Sequence, residues 1–223
     1  QSSIATHALR YSFFSSNGTI ATGVTTSCTW MPPVSLAAQI PNATSGWGTI
    51  LCDTYVNGSL VSTNTCAFQL TVPASVAPSI SNVAISEATS GVADRFGGYV
   101  RTRSKLSVSI TATGAQGSSI SAYRTSIDSV TYSGSSFTTN ALNTAGNLTM
   151  TVTVTDSRGR TASTARTVTV LDYSPPSLSQ FTAERCNADG TAAQTDGTKV
   201  RISAKASGSS VGGKNTLACT VYY

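Results

Sequence analysis

Apolar and hydroxyl-bearing residues alternate along much of this chain. Between Leu148 and Tyr173, Leu148, Met150, Val152 and Val154 alternate with Thr149, Thr151, Thr153 and Thr155. A period of two belongs to a strand with one buried and one wet face. Asp156-Ser157-Arg158-Gly159 supplies turn chemistry, and a second β-rich run ends in Val168-Thr169-Val170. The pattern predicts a long antiparallel hairpin. Val168 and Val170 share their phase with Thr164 and Arg166. Either a bulge lies near Ala165, or the outer part of that strand leaves the core.

The same device occurs earlier. Ile50, Cys52 and Val56 precede an Asn57-Gly58 turn, and Cys66, Phe68, Leu70 and Val72 follow in one phase. Leu70, Val72 and Pro78 recur 98 residues later as Val168, Val170 and Pro176, and Ile50 lands on Leu148. A constant shift predicts an internal repeat of about a hundred residues, the size of one β-sandwich module.

Three units follow from this spacing. Residues 1–74 form the first, a β-sandwich module lacking an opening strand. It holds a strand over His7–Phe13, a turn at Asn17-Gly18, a break at Trp30-Met31-Pro32-Pro33 and a short helical turn or loop over Val34–Ile40. Residues 75–172 form a complete immunoglobulin-like sandwich of about seven strands. Leu106, Val108, Ile110, Met150, Val152 and Val154 are its expected core, with Ser107, Ser109, Thr151 and Thr153 outside. Strands are expected at Ala122–Arg124 and at Ser126–Tyr132. Residues 173–223 begin a further module of the same kind. Pro176-Ser177-Leu178 repeats Pro78-Ser79-Ile80, Val200–Gly208 matches Leu106–Gly114, and a last strand starts at Leu217. Its closing hairpin is missing. The fold class is therefore all-β, with tandem immunoglobulin-like β-sandwich modules.

Composition narrows the function. Only 10% of residues are charged, which suits β modules with Ser- and Thr-rich outer faces and argues against a disordered chain. The net charge is +5, and Arg95, Arg101, Arg103 and Lys105 form its densest run. That run is either a basic contact patch or a solvated strand edge guarded against pairing. No nucleic-acid-binding signature accompanies it. No apolar run approaches membrane-spanning length. Of five cysteines, Cys52 and Cys66 share a phase on two strands of one hairpin. They are either a disulfide or two small buried apolar side chains.

Catalytic chemistry finds little support. His7 is the single histidine, there is no GxSxG, and the nine acidic residues are scattered. Asp189-Gly190 and Asp196-Gly197 read as turns more readily than as calcium-loop fragments. With no CxxC, a Cys/His zinc site is not expected. The expectation is a non-enzyme with no cofactor and no metal.

Several motifs carry a family resemblance. They are His7-x-Leu9-x-Tyr11-x-Phe13, Asn17-Gly18-Thr19-Ile20-Ala21, Trp30-x-Pro32, Ile40–Gly46, Gly48-Thr49-Ile50-x-Cys52-x-Thr54-Tyr55, Cys66-x-Phe68, Pro78-Ser79-Ile80, Asp156–Arg160 and Pro175–Gly190. Together they resemble the minor structural (tail) proteins of siphophages and prophages of Gram-positive bacteria. The resemblance spans most of the chain. It implies tandem immunoglobulin-like modules in a virion tail or tail fibre, acting as spacers and surface contacts, and carries no catalytic residues. Expected partners are other tail subunits and host cell-surface glycans, without nucleic acid or membrane insertion. A homo-oligomer or fibre is a further expectation. The alternative is a bacterial cell-surface adhesin or pilus-like fibre subunit. The resemblance also implies a strand before His7 and a hairpin after Tyr223, supplied by further sequence or by a neighbouring subunit.

Overall fold

The computed structural model describes residues 5–192 and 196–218. In the first unit, β1 (Ala5–Phe13) and β2 (Ser16–Val24) are joined by a tight turn, and β3 (Ser45–Val56) and β4 (Ser59–Thr71) by Asn57-Gly58. Asn57 and Gly58 both take positive φ, the requirement of a two-residue hairpin turn. The four strands form one sheet in the order β2-β1-β3-β4.

The sandwich expected for residues 1–74 is therefore a single sheet among the described residues. Alternation gives each strand a buried face but does not say what covers it. Here the cover is a loop and a 3-10 turn over Val34–Gln39. Trp30 stacks on Tyr11 at 5.0 Å and meets Phe68 edge-on at 5.7 Å. Leu36, Ala37 and Ile40 close over Phe13, Val72 and Val76. Gly48 belongs to this packing, because a Cβ there would stand 2.6 Å from the Phe68 ring.

The second unit holds β5 (Ser79–Glu87), the short helix α1 (Val92–Phe96), β6 (Tyr99–Val100), β7 (Leu106–Thr113), β8 (Ile120–Ile127), β9 (Val130–Ser133), β10 (Ser136–Thr138), β11 (Gly146–Asp156) and β12 (Thr161–Leu171). They make two sheets, β10-β7-β5 and β6-β12-β11-β8-β9. The chain crosses between sheets after β5, β6, β7, β9 and β10, which is an immunoglobulin-like sandwich with three main strands facing four. The expected core is the observed one: Leu106, Val108, Met150, Val152 and Val154 are fully buried, and Ile110 is nearly so. Ser107, Ser109, Thr151 and Thr153 lie outside it. The strand expected over Ser126–Tyr132 is instead broken by a turn at Asp128-Ser129, both at positive φ. The β11–β12 ladder runs from Gly146↔Val170 to Thr155↔Thr161 without a bulge. So the outer part of β12, at Arg166, leaves the core.

The third unit contributes β13 (Ser177–Cys186) and β14 (Lys199–Ser207), paired with each other. Ser177↔Ser207 repeats Ser79↔Thr113, and both hairpins carry a bulge soon after their first pair. The repeat of the closing hairpins is looser. Ile50 faces Cys66, whereas Leu148 faces Val168, the counterpart of Leu70. Turn length accounts for the slip, since the second hairpin carries four more residues around its bend. Leu217 and Ala218 are irregular backbone, and the rest of the strand expected there, with Cys219, lies outside the described residues.

One core position is chemically mismatched. Thr125 faces Val152, is fully buried, and its Oγ1 reaches no hydrogen-bond partner. Removing such a hydroxyl recovers its desolvation penalty. Thr125→Val is expected to stabilise the protein by about 1 kcal/mol, read as a higher urea midpoint at unchanged m-value.

Candidate functional site

The polar chemistry of this chain concentrates where the first two units meet. The β11–β12 turn, Asp156–Arg160, projects from the end of the second sandwich toward the first unit. Asp156 is buried and organises the turn. Its Oδ1 accepts the backbone N–H groups of Arg158 (2.9 Å) and Arg160 (2.8 Å), and its Oδ2 accepts Ser118 Oγ–H at 3.1 Å. Gly159, at φ 79°, lets the chain turn back.

The turn thereby presents two guanidinium groups. Arg158 is 7% exposed and donates through every nitrogen of its guanidinium. Nε reaches Ile40 O at 3.1 Å, and one terminal nitrogen reaches Ala37 O at 2.8 Å and Gln116 O at 2.6 Å. The other reaches Ala115 O at 2.7 Å. Ala37 and Ile40 lie at the C-terminal end of the 3-10 turn; their carbonyls already accept the N–H groups of Ile40 and Ala43, and the second lone pair of each takes the guanidinium. Arg160 holds the linker after β4 by its carbonyls, at Val72, Pro73 and, at 2.7 Å, Val76. Ser157 Oγ donates to Pro41 O at 2.6 Å. The loop after β7 is shaped to fit, because a Cβ on Gly114 would fall 2.0 Å from Ser118 O. An apolar cleft of about 270 Å³ lies on the first unit beside this joint, lined by Phe13, Val34, Leu36, Ile40, Leu70 and Val72.

A second joint uses part of the basic run. Arg101 donates to Tyr173 O at 3.1 and 2.8 Å and pairs with Asp172 at 2.9 Å. Arg103 lies 4.9 Å over the Tyr173 ring and donates to its hydroxyl at 3.1 Å. The expected patch is thus divided: Arg101 and Arg103 are spent on the linker to the third unit. Arg95 sits on α1, and Lys105 follows the buried Ser104. Cys52 and Cys66 do lie on adjacent strands with one phase, but two residues out of register: Cys52 faces Asn64 and Cys66 faces Ile50. Both are free thiols, so the disulfide is not formed here.

His7 Nδ1 is 3.0 Å from Thr54 Oγ1, with no carboxylate bonded to the ring. Asp189 accepts the N–H and O–H of Thr191, a local turn. Among the described residues no three His, Cys, Asp or Glu gather about a metal position, and no helix is long and apolar enough to cross a membrane. The sequence pattern marks Asp156–Gly159 as a turn but does not mark Ser157, Arg158 and Arg160 as joint residues. The available signal was two arginines inside a turn of a chain that is only 10% charged.

Fold and joints together define an all-β protein of serial modules, docked by arginines on backbone carbonyls. The family described as "Siphovirus protein of unknown function (DUF859)" matches residues 1–220, and the chain belongs to it. No curated protein matches the chain. Among solved structures, the fibronectin(III)-like modules of Clostridium thermocellum CbhA are similar at 14% identity and a TM-score of 0.34, over 74% of this chain and 78% of that one.

Two predictions follow from this chemistry. Arg158→Ala removes four hydrogen bonds from a buried charged donor to backbone carbonyls and is expected to cost about 3 kcal/mol. It should also increase the radius of gyration in solution scattering, as the first two units swing apart. Arg158→Lys should rescue little, because an ammonium cannot fork among four acceptors. The second concerns Asp53. The Arg10 guanidinium and the Thr63 hydroxyl hold its carboxyl below the usual carboxylate range. Its stabilising contribution is present above the unfolded-state value of about 4 and is lost as pH falls through the folded-state value. Acid should therefore loosen β1, β3 and β4 in amide exchange, and Asp53→Asn should flatten that dependence.

Proposed function

We propose that this chain is a non-enzymatic structural component of the phage tail or tail fibre. Its modules act as spacers, and its loops contact other tail subunits and host cell-surface glycans. The Arg158 clamp carries this reading. A chain built to hold a distance needs fixed angles between modules, and a buried guanidinium shared by both sides supplies one. Membership of a siphovirus family favours a virion role over the alternative of a bacterial adhesin.

Gold-labelled antibody against this chain, applied to native particles in the electron microscope, tests the assignment. Label confined to the tail or its fibres is expected. Label on the capsid, or none on intact particles in which the chain is detected by mass spectrometry of the disrupted sample, would count against it. Release of reducing sugar from host cell-wall glycans by the purified chain would overturn the non-enzymatic part.

A further inference from the structure

The first sheet is covered on one face only. Tyr11, Phe13 and Phe68 point to the face that Trp30 and the 3-10 turn close. The alternate residues point the other way. There Asn17↔Ser12↔Thr49↔Ala67 form one row across the sheet and Thr19↔Arg10↔Leu51↔Thr65 the next. Trp47↔Gln69 lies on one side of these rows and Asp53↔Thr63 on the other. This second face is bare. Arg10, Ser12, Asn17, Thr19, Thr65 and Gln69 are exposed, and Trp47 is 65% exposed. The face is also neutral, because Arg10 and Asp53 are the only Lys, Arg, Asp or Glu in residues 1–74 and they pair with each other. Arg10 donates to both carboxylate oxygens at 2.7 and 3.0 Å, and Thr63 Oγ–H adds a third bond at 2.7 Å. A shallow depression of about 460 Å³ is lined by Arg10, Ser12, Asn17, Thr19 and Leu51. Its Ser12 wall is about 8 Å from Trp47, one strand across and two residues along.

We propose that this bare face binds saccharide, and that its ligand is a neutral polysaccharide of the host cell wall. An exposed indole on a strand is a flat, apolar plate whose ring face is electronegative. The C–H face of a pyranose ring is flat and apolar too, and carries the opposite partial charge. The hydroxyl groups around that ring need donors and acceptors. Ser12, Asn17, Thr19, Thr65 and Gln69 supply both on the same face as Trp47. Other ligand classes fit worse. A nucleic acid or anionic polymer needs uncommitted cations, and Arg10 is committed to Asp53. A protein or lipid surface needs a contiguous apolar patch. On this face Trp47 has Gln69 beside it and Thr49 next along its strand. The source of the saccharide, though not the chemistry of the face, rests on the phage-tail reading given above.

The test uses the full 223-residue chain. Neutral hexasaccharides of glucose, galactose, rhamnose and N-acetylglucosamine are titrated to millimolar concentration, read by tryptophan fluorescence and by calorimetry. Trp30, the second tryptophan, stacks on Tyr11 on the covered face, so a ligand-dependent emission shift reports Trp47. At least one sugar should shift the emission, with an affinity indifferent to added salt. Trp47→Thr keeps a strand-forming residue and should weaken calorimetric binding about tenfold or more. Wall polysaccharide from the infected bacterium, stripped of teichoic acid, should compete with that hexasaccharide. Four results would overturn the proposal: no shift with any of the four sugars, an affinity unchanged by Trp47→Thr, binding that salt abolishes, or wall polysaccharide that fails to compete. Should Trp47→Thr disturb the circular dichroism spectrum, protection of wild-type Trp47 by the sugar against N-bromosuccinimide oxidation decides. Gold label on the tail without saccharide binding removes this site and leaves the tail assignment. Saccharide binding with label away from the tail does the reverse.

Discussion

A buried guanidinium must spend its donors, because it cannot give up its proton. At Arg158 that constraint shapes everything around it. The turn must be long enough to carry the side chain across the gap, so the second hairpin has more residues around its bend than the first. The turn must hold still, so a buried Asp156 takes two of its N–H groups and fastens it to Ser118. The receiving side must offer spare carbonyl lone pairs, and Ala37 O and Ile40 O, each already accepting one backbone N–H, have a second to give. The loop after β7 must come close, which Gly114 allows. Two modules that share one desolvated cation have lost much of the freedom expected of beads on a string.

The second joint follows a different economy. Arg101 and Asp172 remain 34% and 71% exposed, and Arg103 lies over a tyrosine ring at the surface. Exposed pairs of this kind contribute little to stability and are screened by salt. The apolar side chains of β13 and β14 also stand open, with Leu178, Phe181 and Val200 all more than half exposed. The two joints thus differ in burial, although both are built from arginine.

Much of the second sandwich was legible because one face of its long strands is buried. Leu106-x-Val108-x-Ile110 and Met150-x-Val152-x-Val154 could only be read one way, since a slip by one residue would put threonine and serine in the core. The Ser79 and Ser177 pairings were legible as repeats because Pro176-Ser177-Leu178 repeats Pro78-Ser79-Ile80 and Val200–Gly208 matches Leu106–Gly114, although β13 and β14 bury almost nothing. What alternation cannot encode is the identity of the cover. His7 to Phe13 alternates like a sandwich strand, yet Trp30 and a 3-10 turn lie over it where a second sheet was expected. Asp128-Ser129 escaped notice because the bend uses neither glycine nor proline. The joint escaped because its acceptors are backbone carbonyls, which have no letter in a sequence. Arg158 and Ile40 are distant in the chain, and nothing about isoleucine announces that its oxygen is needed.

Arg160 has a mechanical consequence. It grips Val72, Pro73 and Val76, so both ends of the linker between the first two units are fastened to the same side chain. Tension applied along the chain does not first straighten that linker. The load passes from β4 through the guanidinium into the β11–β12 turn, and so into the middle of the second sandwich. The linker is a slack tether lying beside a taut strut, and it pays out only after the strut has failed.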